Sequence, residues 1–153
     1  MPADQPQPAI VVYGLADARA AATAAAAVDV AVTLRVPAAV AAGLGADVIG
    51  SLFARLRAEV PEARITAAVD CADAPGLALA LLRRGIDRVR LDACEEARRR
   101  TADIAARSGA ALDDAEPDMP GQELDLLDVD DPASACETWL QGFKTSHVKP
   151  NCQ

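Results

Sequence analysis

The chain has 153 residues, enough for one domain with its own core, and is 52% hydrophobic but only 3% aromatic. Its net charge of −8 is uneven: residues 1–112 hold 13 Arg against 13 acids, whereas 113–153 hold ten acids against Lys144 and Lys149. A neutral body with an acidic end lacks the basic footprint that nucleic acid or an anionic membrane requires, and no run of about 18 uncharged apolar residues marks a membrane span.

Residues 1–8 are rich in Pro and Gln and predict a flexible N-terminus. They lack the basic n-region of a signal peptide, which predicts a cytoplasmic location. "AIVVYG" (9–14) predicts a first strand, and the Ala-rich stretch 15–28 predicts a helix by propensity. "VAVTLRV" (30–36) alternates apolar and polar residues and predicts a strand with one covered face, stopped by Pro37. "PAAVAAGLG" (37–45) reads as a loop or short helical turn; its Gly43-Leu44-Gly45 offers a weak anion cradle. Ile49, Leu52, Phe53, Leu56 and Val60 recur at helical spacing and predict an amphipathic helix from Ala46 to Val60.

"ARITAAVD" (63–70) predicts the third strand. Asp73 is expected to cap the next helix, with Pro75 in its first turn and a left-handed Gly85 at its end. "IDRVRLD" (86–92) is the fourth predicted strand, followed by a helix from Glu95 to Ser108; "AALDD" (110–114) is a possible fifth strand. The acidic stretch 113–131, with Pro117, Pro120 and Gly121, reads as a linker between an α/β domain (9–112) and a short docking helix (132–143). Asp131 and Pro132 open that helix. Residues 144–153 read as a polar tail.

Alternating strands and helices require parallel strands joined by right-handed crossovers. The strand faces then decide the architecture. Val32, Leu34 and Val36 alternate with Thr33 and Arg35; Ile65, Ala67 and Val69 with Thr66, Ala68 and Asp70; Val89 and Leu91 with Arg88, Arg90 and Asp92. A sheet buried on both faces would show continuous apolar runs. The alternation predicts a parallel sheet of four to five strands with helices on one face and a polar second face. The run "LALALLRRGIDRVRLDA" (77–93) resembles the repeating unit of a (β/α)8 barrel, and the chain as a whole resembles half of such a barrel, as in a small bacterial α/β protein. That resemblance implies a strand order 1-2-3-4; a doubly wound, flavodoxin-like order 2-1-3-4-5 is the alternative.

Ligands of barrels and open α/β sheets sit at the C-terminal ends of the strands. There the sequence places Tyr13, Arg35, Asp70, Arg90 and Asp92. The arginines suit a phosphate or carboxylate, and either Asp suits general-base work or a metal with open water positions. The same charges also read as a salt-bridge ladder that neutralises itself, as buried charges must. Asp70 and Asp92 are expected on one face, sharing Arg35 or Arg90.

The cysteines 71, 94, 136 and 152 have no paired spacing and predict free thiols. No dinucleotide or P-loop glycine motif is present, and the residues nominate no cofactor and no metal site. Trp139, Leu140 and Phe143 make the C-terminal helix the most aromatic stretch and a candidate for docking on the domain, on a twin subunit or on a protein partner. Open sheet edges predict a homo-oligomer. Two functions follow: a non-catalytic, self-associating interaction or scaffold module, preferred on these residues, and a small-anion-binding protein or lyase-type enzyme with its site at the strand ends.

Overall fold

The computed structural model describes residues 7–113 and 123–147. Its elements are β1 (Ala9–Val11), α1 (Leu15–Val28), β2 (Val32–Val36), α2 (Ala38–Glu59), β3 (Ile65–Asp70), α3 (Pro75–Arg83), β4 (Arg88–Arg90), α4 (Glu95–Arg107), β5 (Ala111–Asp113), β6 (Glu123–Asp125) and α5 (Pro132–His147). The six strands form one open parallel sheet in the order β5-β4-β3-β2-β1-β6. The sheet thus has more strands than the four to five expected, and its order is not the flavodoxin-like one.

Consecutive strands lie side by side from β1 to β5, so right-handed crossovers carry α1 to α4 onto the same face. The packing agrees: α5 lies on α1, α1 on α2, α2 on α3 and α3 on α4. Ile10, Val32, Leu34, Val36, Ala67, Val69 and Val89 point into this layer and are buried, as period two requires. The Ala-rich α1 sends five alanines into the core, small residues that bring it close to the sheet. Gly50 lets α2 approach the end of α3: a Cβ there would meet Arg84 Cβ at 2.9 Å.

Helix α2 starts earlier than the sequence predicts, at Ala38, but Gly45 breaks it with φ 79° and ψ 166°. The glycine-flanked stretch is therefore a kink between two helical pieces. By length and composition α2 passes for a membrane span. The break leaves pieces of 38–44 and 46–59, each short of the roughly 20 residues a span needs, and Ile49, Phe53 and Leu56 are buried in the core. Asp73 does not cap α3; Ala74 holds the N-cap position with no side-chain bond. Gly85 is left-handed as expected, with φ 82°.

Two findings reshape the C-terminal part. Glu123–Asp125, inside the stretch read as a linker, is the edge strand β6, paired with β1. Helix α5 is longer than 132–143 and docks on its own domain: Cys136 and Leu140 are fully buried, and Lys144 Nζ donates to the Val28 carbonyl at 2.8 Å. That carbonyl lies at the C-terminal end of α1, where a cation also meets the negative end of the helix dipole. Asp131 opens α5 as expected, its Oδ1 accepting the Ser134 N–H at 3.1 Å. Leu140 is therefore unavailable to a partner in this arrangement. Trp139 and Phe143 are half-buried, with ring centroids 6.2 Å apart.

Candidate functional site

Partners in register share a face of a parallel sheet, so the helix-free face can be read row by row. The lowest row runs Glu123, Ala9, Thr33, Thr66. The middle row runs Asp125, Val11, Arg35, Ala68, Arg88, Ala111. The top row, at the C-terminal ends, is Asp70, Arg90, Asp113. Small residues, Val11 and Ala68, occupy the middle and charges surround them. Ala68, lying in register between Arg35 and Arg88, leaves a shallow hollow of about 30 Å³ lined by Arg35, Ala68, Val69, Asp70, Arg90 and Asp113. At the lower end, Gln7 Oε1 accepts from the Thr33 and Thr66 hydroxyls at 3.0 and 3.2 Å.

Three of the five residues nominated at the strand ends, Arg35, Asp70 and Arg90, line this hollow. Asp70 Oδ2 lies 3.8 Å from Arg90 Nη1. Its Oδ1 accepts the Ala72 N–H at 2.8 Å, fastening a turn in which Ala72 has φ 47°. A non-glycine residue in that region costs roughly 1–2 kcal/mol, so Asp70 also holds the β3–α3 loop in place. Arg35 is not shared with either Asp: its Nη1 reaches across β1 to Glu123 Oε2 at 3.1 Å. Asp92 stands apart. It lies past the end of β4, exposed, with its backbone N–H donating to the Ala72 carbonyl at 2.7 Å. The expected sharing of an arginine by Asp70 and Asp92 thus holds for Asp70 and Arg90 alone.

Tyr13 sits in the β1–α1 loop, and its hydroxyl donates to Asp125 Oδ1 at 2.9 Å. Burial first, then the Asp125 bond and the nearby carboxylates, push the phenol up to about 12. Tyr13 also lines an apolar groove with Leu15, Leu44, Val48 and Leu52 on the helix side.

Sequence reasoning missed Asp113, Glu123 and Asp125. The first was within reach: continuing the alternation through "AALDD" puts Asp113 on the polar face. Arg88 was placed on that face but not assigned a partner, and it pairs with Asp113. The other two were hidden in a segment whose acidity reads as linker.

Cys71, Cys94 and Cys136 are free, and Cys152 lies outside the described residues. Cys71 faces the core, away from Asp70, and burial pushes its thiol up to about 12, with the Asp70 charge adding to the effect. Burial likewise raises Cys136 to about 11, with a smaller contribution from Asp17. Thiolates are the reactive form, so a thiol reagent at pH 8 is expected to modify exposed Cys94 quickly and Cys71 and Cys136 only on unfolding, as peptide mass spectrometry will read. These thiols and Tyr13 hold their protons to higher pH folded than unfolded, against ordinary values of 9.0 and 10.0. The folded state then binds more protons above about pH 9, so the urea midpoint is expected to fall from there up to about pH 12.

Among the described residues, no three His, Cys, Asp or Glu side chains gather as metal ligands. No protein-family model matches the chain, and no curated protein matches it. Among solved structures it is similar to a crystal structure described as a fructose-1,6-biphosphate aldolase from Coccidioides immitis, with TM-score 0.54 and 19% identity. The match covers 69% of this chain and 44% of that one, so this chain spans less than half the length of that protein. At this identity the likeness is one of fold: a partial match to an aldolase-type α/β architecture.

Proposed function

We propose that this chain is a fragment-like relative of the (β/α)8 barrel that binds a small phosphorylated or carboxylate metabolite at the C-terminal ends of β2 to β5. One observation carries the reading: the sheet face left free of helices gathers Arg35, Asp70, Arg90 and Asp113 around a hollow floored by Ala68. This is the end of the sheet at which ligands of α/β folds bind. The aldolase-like fold supports it, and that protein's named substrate, a sugar bisphosphate, belongs in the ligand panel. Cytoplasmic location belongs to the same proposal.

The residues supply binding and proton transfer more readily than covalent catalysis. A Schiff-base mechanism needs a lysine in the site, and the one described lysine, Lys144, is spent on the Val28 carbonyl on the helix side. Asp70, held by Ala72 N–H and facing Arg90, is the group placed to take a proton in a lyase-type step. The scaffold reading drew on the C-terminal helix as a recruiting peptide, and α5 instead packs on α1. The sheet edges β5 and β6 are three residues long and bear Asp113, Glu123 and Asp125, features that blunt an edge against pairing.

The test is a thermal-shift panel of phosphorylated and carboxylate metabolites. At a hundred times its Kd a ligand stabilises by about 2.7 kcal/mol, a rise of roughly 5–10 °C for a chain of this size. Ala68→Leu fills the hollow and is expected to abolish the shift. Because Ala68 is buried, the larger side chain is also expected to lower the stability of the unliganded protein by about 1–3 kcal/mol, so the shift is read against the variant's own unliganded melting temperature. Failure of every member of the panel to shift the protein, or a shift that survives Ala68→Leu, would defeat the proposal.

A further inference from the structure

We infer that the apolar groove between α1 and α2 is a second ligand site, which takes an apolar molecule ending in one acid group. This site is separate from the hollow on the polar face and does not depend on it. The groove has a volume of about 330 Å³, within the range of roughly 300–1,000 Å³ in which small-molecule sites fall. Tyr13 and Leu15 form one wall, and Leu44, Val48 and Leu52 of α2 form the other. The hydroxyl bond to Asp125 fixes the Tyr13 ring before any ligand arrives. Val48 is 50% exposed and Leu44 38%, so both keep apolar surface in water that an occupant would cover. Two such side chains fall well short of a stable protein interface, which buries about 800 Å² on each partner. A small molecule fits the space.

The two polar side chains of α2 in the lining give the ligand its acid group. Ser51 and Arg55 stand one turn apart on that helix, so they face the same way at one end of the groove. Ser51 is exposed and brings a hydroxyl that can donate. Arg55 donates from Nε to Glu59 Oε1 at 2.8 Å, which leaves its two Nη groups for other acceptors. Glu59 is already held by Arg19, which donates from Nε and Nη2 at 2.7 and 3.0 Å. Two guanidinium groups thus share one carboxylate, and a positive charge is left over at this end. No carboxylate lines the groove to oppose an incoming acid, and a guanidinium edge is the donor such a group pairs with best. Val48 and Arg55 are seven residues apart, about 10 Å along a helix that rises about 1.5 Å per residue. A fused two-ring aromatic acid or a chain of about eight carbons spans that length. The expected ligand lays its apolar body on Leu44, Val48 and Leu52 and sets its acid group on Ser51 and Arg55.

Matched probes separate the two parts. N-phenyl-1-naphthylamine, an uncharged dye that fluoresces in apolar surroundings, is expected to light up with the protein. 2-Naphthoate, neutral 2-naphthol and cationic 2-naphthylmethylamine share one ring system and compete with it. 2-Naphthoate is expected to displace the dye at a concentration ten-fold or more below that of the other two. Arg55→Met keeps the apolar stem and is expected to erase that preference without weakening 2-naphthol. Val48→Gln is expected to weaken all three about ten-fold while melting within about 2 °C of the parent, since the site is half exposed; Leu44→Gln is the second variant. A dye that stays dark overturns the inference, as does dye binding that both glutamine variants leave unchanged. Equal displacement by 2-naphthol and 2-naphthoate, or a preference that survives Arg55→Met, overturns the acid group and leaves an apolar site. A dimer in sedimentation that excludes the dye gives the groove to a second copy of the chain and overturns the inference as well.

Discussion

Leu140→Ala is expected to lower the stability of the domain by about 2–5 kcal/mol, the range for removing a buried leucine from a packed core. Leu140 is fully buried, and it belongs to the same core cluster as Ala21, Ala25 and Ile10. Those residues come from α1 and β1, so the cavity would open in the middle of the helix layer. The alanines around it are short and cannot swing in to fill the space, which favours the upper part of the range. Urea unfolding reads the effect as a lower midpoint at unchanged slope. Gln141→Ala, exposed on the same helix, is the control and should stay within about 0.5 kcal/mol. A Leu140→Ala protein as stable as the parent would mean that α5 is a detachable peptide, and the cis packing described here would be refuted.

Asp87→Ala is expected to cost about 2–3 kcal/mol. Asp87 precedes β4, and its Oδ2 accepts the Ala67 N–H of β3 at 2.8 Å and a bond from Arg57 of α2. One carboxylate oxygen thereby ties two strands and a helix at the N-terminal end of the sheet. The bond to Ala67 carries most of the effect, because a backbone N–H deprived of a charged acceptor loses about 1.5–3 kcal/mol. The pair with Arg57 is about 40% exposed on each side and adds little. Asp87→Asn retains an acceptor for Ala67 and should lose about half as much. Ligand affinity should be unchanged in both, since the clamp lies at the opposite end of the strands from the hollow. A change in affinity with no change in stability would show that Asp87 does something other than fasten the sheet.

The face division was legible before any coordinates, because period two leaves no choice once a strand is named. Thr33 and Arg35, Thr66 and Asp70, Arg88 and Arg90 had to share a face opposite Leu34, Val69 and Val89. Which arginine meets which acid was not legible, since that depends on strand order. Arg35 takes Glu123 because β6 returns beside β1, two strands away from β2 in the sheet. The strand itself was hidden by its composition. Three residues, Glu-Leu-Asp, offer one apolar side chain to the helix layer and two acids to the polar face, which is all an edge strand needs. Asp92 was misplaced for a different reason. β4 ends at Arg90, and beyond a strand's end the alternation no longer dictates direction. The break at Gly45 was visible as a glycine pair, but the turn of helix before it, Ala38 to Leu44, lacks a helical stripe strong enough to name.

The placement of β6 has a consequence for how the molecule is made. From β1 to β5 every strand pairs with one already synthesised, separated from it by a single helix. Those units can assemble as the chain leaves the ribosome. The outer side of β1 is different: its partner is the last strand to emerge, and α5, which seals α1, comes later still. Until then a ribbon bearing Ile10 and Val11 presents unsatisfied amides and carbonyls to any neighbouring chain, the situation in which strands recruit the wrong partner. A chain interrupted before Glu123 is left permanently in that condition.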